Sequence, residues 1–156
     1  MATLGCSVRL ALAFLCATGA SCSTAATHAP NFSGSWAYQQ KCDPGHTVNL
    51  TIKQADAQAT GDWSEGTNVS GEDGSLKGEV RGDKLFVRYC STDGNDPKSA
   101  CPTYDDREDY FALRDGAIVR YQKYGSAYKE DVVLHRDDAG KSVPVDTTKC
   151  YDNKEG

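Results

Sequence analysis

Several absences narrow what this chain can be. The apolar stretch Leu10-Ala-Leu-Ala-Phe-Leu-Cys-Ala-Thr-Gly-Ala20 falls short of the roughly 20 residues that a membrane-spanning helix needs. No segment carries an amphipathic helical pattern of useful length, which argues against a helical architecture and leaves no helix for a phosphate-binding loop to precede. Basic charge is in deficit as well. Beyond Ala26 the chain holds 16 basic and 22 acidic residues, a net charge of −6, and such a surface suits neither nucleic acid nor an anionic membrane.

The usual catalytic constellations are missing too. There is no Gly-x-Ser-x-Gly elbow, and His28, His46 and His135 are scattered along the chain, so no nucleophile, base and orienting group are grouped for acyl transfer. There is no Cys-x-x-Cys to hold zinc. The many carboxylates fall in loops or at outward positions of strands, where solvated surface is the expected role. No catalytic residue, metal site or cofactor is therefore assigned, and the chain is expected not to be an enzyme.

What is present begins with an export signal. Arg9 supplies a positive charge, the apolar stretch follows, and small residues (Ser21, Thr24, Ala25, Ala26) come next, the pattern of a cleaved secretory leader over residues 1–26. Residues 27–156 form the mature domain. Gly19-Ala20-Ser21-Cys22 is similar to a bacterial lipoprotein box without its usual leucine, so lipid attachment at Cys22 competes with plain secretion or release into a periplasm. Cys42, Cys90, Cys101 and Cys150 remain after the leader. Four cysteines in an exported chain read as two disulfides with three possible connectivities. Cys90–Cys101, closing a long loop, and Cys42–Cys150, tying the tail to the first strand, are the favoured pair.

The mature part reads as short strands separated by turn residues. Thr47 to Lys53 alternates with Val48, Leu50 and Ile52 on one face, and Ala57 to Ser64 continues with Ala57, Ala59, Gly61 and Trp63 together. Gly66 to Gly74 reads as a loop. Ser75 to Arg81 and Lys84 to Cys90 face each other across a two-residue turn at Gly82-Asp83. After the polar loop 91–107 come Asp109 to Arg114, Ala117 to Tyr124 and Tyr128 to Arg136, with turns at Asp115-Gly116 and Gly125-Ser126, and then a polar tail expected to be irregular. With Asn31 to Trp36 as the opening strand, the sum is one all-β domain, an eight-stranded antiparallel up-and-down barrel. Eight strands is the size whose interior is filled or holds one small ligand.

Asn31-Phe32-Ser33-Gly34-Ser35-Trp36 resembles the Gly-x-Trp opening of the calycin superfamily, which includes lipocalins, fatty-acid-binding proteins and avidins. The resemblance implies that Trp36 plugs one end of the barrel and that a basic residue from the last strand, here Arg136, stacks on it. It also implies a binding function: a small hydrophobic or aromatic molecule held in the barrel by Trp63, Tyr89, Tyr110 and Tyr121. Ser33-Gly34-Ser35-Trp36 followed by Cys42 is also similar to the start of calycin-like periplasmic inhibitors of secreted metalloproteases, whose partner-binding segment would match Thr27 to Phe32. Gly125-Ser126-Ala127-Tyr128-Lys129 has the residue types of a loop presented by bacterial lysozyme inhibitors, in a different order. A secreted hydrolase is thus the alternative partner.

Three further motifs have simpler readings. Asp93-Gly-Asn-Asp96 with Asp105, Asp106, Glu108 and Asp109 concentrates calcium-type ligands, but the spacing is not that of an EF-hand. Arg81-Gly82-Asp83 spells an adhesion tripeptide and is equally what a tight hairpin turn requires. Asn31, Asn49 and Asn68 are glycosylation acceptors in a eukaryotic host.

Overall fold

The computed structural model describes residues 29–42, 44–93, 97–139 and 141–148. The expected leader, the possible lipid site at Cys22 and the bridge to Cys150 lie outside the described residues. Among those described there is no helix. Eight antiparallel strands run in chain order: β1 (Gly34–Gln40), β2 (Thr47–Ala55), β3 (Gln58–Gly66), β4 (Gly71–Arg81), β5 (Lys84–Ser91), β6 (Asp109–Arg114), β7 (Ala117–Tyr124) and β8 (Ala127–Arg136). Each pairs with the next, and β1 pairs with both β2 and β8, which closes the up-and-down barrel. The closing β1–β8 ladder is short, pairing only Trp36 with Arg136 and Ala37 with His135.

The turns follow from residues that tolerate a left-handed backbone. Gly82 (φ 66°), Gly116 (φ 80°) with Asp115 (φ 52°), and Gly125 (φ 62°) sit at the three tight hairpins expected from the sequence. The segment 66–74 departs from its expectation as a loop. β4 already begins at Gly71, pairing Gly71 with Gly66 and Gly74 with Trp63. A Cβ on Gly74 would lie 1.8 Å from the Cys90 carbonyl oxygen, so this glycine permits close strand approach and does not break the strand.

A second correction concerns the tail. Its residues Val145–Asp146 form a short strand, β9, parallel to β1 beside Gln39 and Gln40. The anchoring group is Asp146, whose carboxylate accepts a hydrogen bond of 3.0 Å from the Tyr38 hydroxyl, while Val145 is exposed.

Inward positions of every strand meet in one core that includes Phe32, Trp36, Ile52, Leu76, Leu85, Phe111, Ile118 and Leu134. Trp36 plugs the end where β1 starts, and its indole N–H donates 2.9 Å to the Phe32 carbonyl. Gln54 ties down the residues ahead of β1 by accepting from the Phe32 amide and donating to the Pro30 carbonyl. The opposite end, bordered by His46, Thr67, Ser70, Ser99 and Asp105, stays open.

Candidate functional site

The open end holds a cavity of about 650 Å³ whose lining includes Leu50, Trp63, Glu65, Tyr89, Asp109 and Arg120. Its rim comes from the β3–β4 turn (Thr67, Ser70) and the β5–β6 loop (Ser91, Asp93, Ser99, Asp105, Arg107). The Cys90–Cys101 disulfide braces this rim, and Cys90 is itself buried in the wall. Part of the floor is aromatic: Trp63 and Tyr89 meet edge to face with centroids 5.5 Å apart, and the Trp63 indole donates 3.0 Å to the Cys90 carbonyl. That bond fixes the ring against the wall and leaves its face free of polar demands.

The rest of the floor is charged. Arg120 projects inward from β7 and is almost wholly buried. Its Nη1 and Nη2 donate to the two oxygens of Glu65 at 2.6 and 2.7 Å, and its Nε donates to Asp131 at 2.6 Å. His46 adds a 2.7 Å contact between its Nε2 and Glu65 and lies edge-on to Tyr38. Burial pushes the Glu65 carboxyl up, but hydrogen bonding and charge from Arg120, then from His46, outweigh it and hold the group below its ordinary range. Burial disfavours the Arg120 cation, but the hydrogen bonds and charge of Glu65, then Tyr89 and Asp131, more than compensate, so it stays charged. A charge taken out of water at this depth persists only when paired on all sides.

Register explains how Asp131 reaches Arg120. Val119 faces Val133 while Tyr121 faces Glu130, so Asp131 and Val132 together stand opposite Arg120 in a β-bulge. The extra residue reverses the in–out phase of β8: Val132 and Leu134 point into the core, and Glu130 points outward to Arg114.

Two polar groups of the cavity have no hydrogen-bond partner: the Tyr89 hydroxyl and Oδ2 of Asp109, both buried. Asp109 Oδ1 is satisfied by the Lys123 amide at 2.9 Å and lies 3.7 Å from Arg107 Nε. Burial pushes the Asp109 carboxyl above its ordinary value, against the opposing Lys123 bond and the Arg107 charge. The Tyr89 phenol is likewise pushed up by burial.

Of the four expected ligand contacts, the structure brings Trp63 and Tyr89 together at the cavity and separates Tyr110 and Tyr121 from it. The last two lie on the outer wall, stacked on each other at 4.6 Å and 14°. Phe86 and Tyr128 extend that row. Phe111 takes the inward position next to Tyr110 because a hydrocarbon ring buries without an unmet hydroxyl. Glu65, Asp109, Asp131 and Arg120 were not expected at the site; assigning the carboxylates to solvated surface fails for the first three. A charged residue continuing an inward series was the available signal: Glu65 after Gly61 and Trp63, Arg120 after Ile118, and Asp109 before Phe111. Asp131 had no such signal, since its orientation depends on the bulge.

Among the described residues no group of three or more His, Cys, Asp or Glu is placed to hold a metal ion. Gly82 and Asp83 of the adhesion tripeptide form the β4–β5 hairpin turn, and Arg81 before them is paired to Glu108 at 2.7 Å and stacked on Phe86. Compared with family models, with curated proteins and with solved structures, the chain matches none of them.

Proposed function

We propose that this chain is an exported, non-catalytic binding protein of calycin type, taking one small molecule into the open end of its barrel. The observation that carries this reading is the cavity of about 650 Å³ with two unpartnered buried polar atoms in its wall. A filled barrel would have no such space, and unpaired buried polar groups cost about 1–3 kcal/mol each unless a partner arrives. The lining argues for a ligand with an aromatic or apolar part against Trp63 and Leu50 and a polar part among the charged groups, in place of a purely hydrophobic one. Export is supported by the leader-like N-terminus and by the Cys90–Cys101 disulfide.

Native mass spectrometry of protein purified from its own host, before and after denaturation, tests the reading. A small molecule released on unfolding is expected; a chain that carries none and binds none from a host metabolite extract would overturn it. A second reading, capture of a secreted hydrolase, draws on Tyr124, which is 54 % exposed beside the Gly125-Ser126 turn. Inhibition of a lysozyme or secreted metalloprotease, lost in Tyr124→Ala, would favour that reading instead.

A further inference from the structure

The geometry points to an anchoring site for a protonated amine at the floor of the cavity, held by Asp109 and Tyr89, on a ligand whose aromatic end lies against Trp63. This rests on the cavity being the binding site and names the chemistry that it selects. Asp109 stands opposite Val87 in the β5–β6 register, and Tyr89 is two residues further along β5 on the same face, toward the open end. The two unpartnered atoms, Asp109 Oδ2 and Tyr89 Oη, therefore belong to adjacent strands of one wall.

An ammonium suits this pair better than other groups. It offers three donors and no acceptor, so it has an N–H for each of the two oxygens. A ligand carboxylate would add an anion beside Asp109, while a hydroxyl has one proton for two acceptors. The surrounding charge has the same bias. Glu65, Glu72, Asp93, Asp105 and Asp109 line the cavity against Arg107 and Arg120, and Arg120 is already occupied by Glu65 and by Asp131 behind it. His46 is turned onto Glu65. Burial works against the Asp109 charge, and a bound cation would restore it. The rings of Tyr89 and Trp63 add a negative π-face close to where such a cation would sit.

Three probes that share a phenylethyl group separate the possibilities: 2-phenylethylamine, 2-phenylethanol and 3-phenylpropionate, each titrated into the full mature protein at pH 7 by calorimetry and followed by the Trp63 indole N–H resonance. The amine is expected to bind about tenfold or more tightly than either analogue, as a charge-assisted bond requires. Asp109→Asn keeps the shape and the Oδ1 acceptor for Lys123; it is expected to weaken the amine by about tenfold or more while leaving phenylethanol within about twofold. Tyr89→Phe should weaken the amine by a smaller factor. A carboxylate that binds as well as the amine, or an Asp109→Asn protein that holds the amine unchanged, would overturn the inference. If phenylethanol alone matches the amine, the anchor fails and the cavity reading survives. If none of the three moves the Trp63 resonance, the anchor fails, and the mass spectrum decides the cavity reading separately.

Discussion

Arg136 lies across Trp36, its guanidinium carbon 4.0 Å from the centre of the indole, and its Nη1 donates 2.7 Å to the Ser33 carbonyl. The two residues are also backbone partners across the β1–β8 seam, where only Trp36–Arg136 and Ala37–His135 are paired. So short a ladder makes side-chain contacts unusually important for closing the barrel. Gly34 takes part, since its φ of 135° and the 1.8 Å between a built Cβ and Arg136 Nη1 leave room for no side chain.

Trp36→Ala is expected to cost about 3–5 kcal/mol, the usual range for a fully buried aromatic, read from urea unfolding. Arg136→Ala should cost about 1 kcal/mol, the worth of a partly exposed cation on a ring. A loss below about 1 kcal/mol for Trp36→Ala would mean the indole is not holding the closed end.

Gly34→Ala should lose about 1–3 kcal/mol through its backbone conformation plus displacement of the Arg136 head. In an Arg136→Ala background the second part disappears, so the double variant should be less destabilised than the sum of the singles. Strict additivity would separate Gly34 from Arg136.

Arg120→Met is expected to destabilise the fold by about 3–5 kcal/mol at neutral pH, because it leaves Glu65 and Asp131 buried without their cation. The same network sets an acid limit. Glu65 has its folded pKa lowered, so its stabilisation is present above the unfolded carboxyl value and is lost as pH falls through the folded one. In Arg120→Met this acid-side slope should flatten, which a series of unfolding curves between pH 2 and 7 would show.

Asp109 has the opposite sign. Its folded pKa is raised from 3.8, so the folded state binds the proton more tightly, and stability falls as pH rises from about 3.8 through the folded value. Asp109→Asn removes that penalty. The variant should be more stable than the parent at pH 7, with the gain shrinking toward zero below about pH 4. Equal stabilities at pH 7 would show that the carboxylate is satisfied in the unliganded protein.

Opening the Cys90–Cys101 bridge, which closes a loop of sequence separation 11, should cost about 2–3 kcal/mol by loop entropy. Cys90→Ala/Cys101→Ala measured against the parent checks it. The change should also loosen the cavity rim, seen as faster amide exchange across the described part of the loop 91–107.

Much of the fold could be read along the chain. Alternating apolar residues at Val48, Leu50 and Ile52, the paired faces on either side of Gly82-Asp83, and the turn glycines at 116 and 125 all act over a few residues. Local steric preference and period-two burial therefore reveal them without knowledge of the whole. Gly34, Trp36 and Arg136 were legible as a set only through the resemblance to the calycin opening, because Trp36 and Arg136 come from the first and last strands of the barrel. The Cys90–Cys101 disulfide was also visible, because its cysteines flank a single loop.

The site depended on how the strands meet. Whether Tyr110 or Phe111 turns inward is a two-way choice that the pattern leaves balanced, and core packing settles it in favour of the ring without a hydroxyl. Glu65 is far from Arg120 in sequence and only barrel closure brings them together, while Asp131 lies across the β7–β8 hairpin and needs the β8 bulge to reach Arg120. Asp109 was legible as the first residue of a strand, and its pairing with β5 set its direction. Charged groups at inward positions gain nothing locally from being there; their cost is met by distant partners, and distant partners exist only once the barrel has closed.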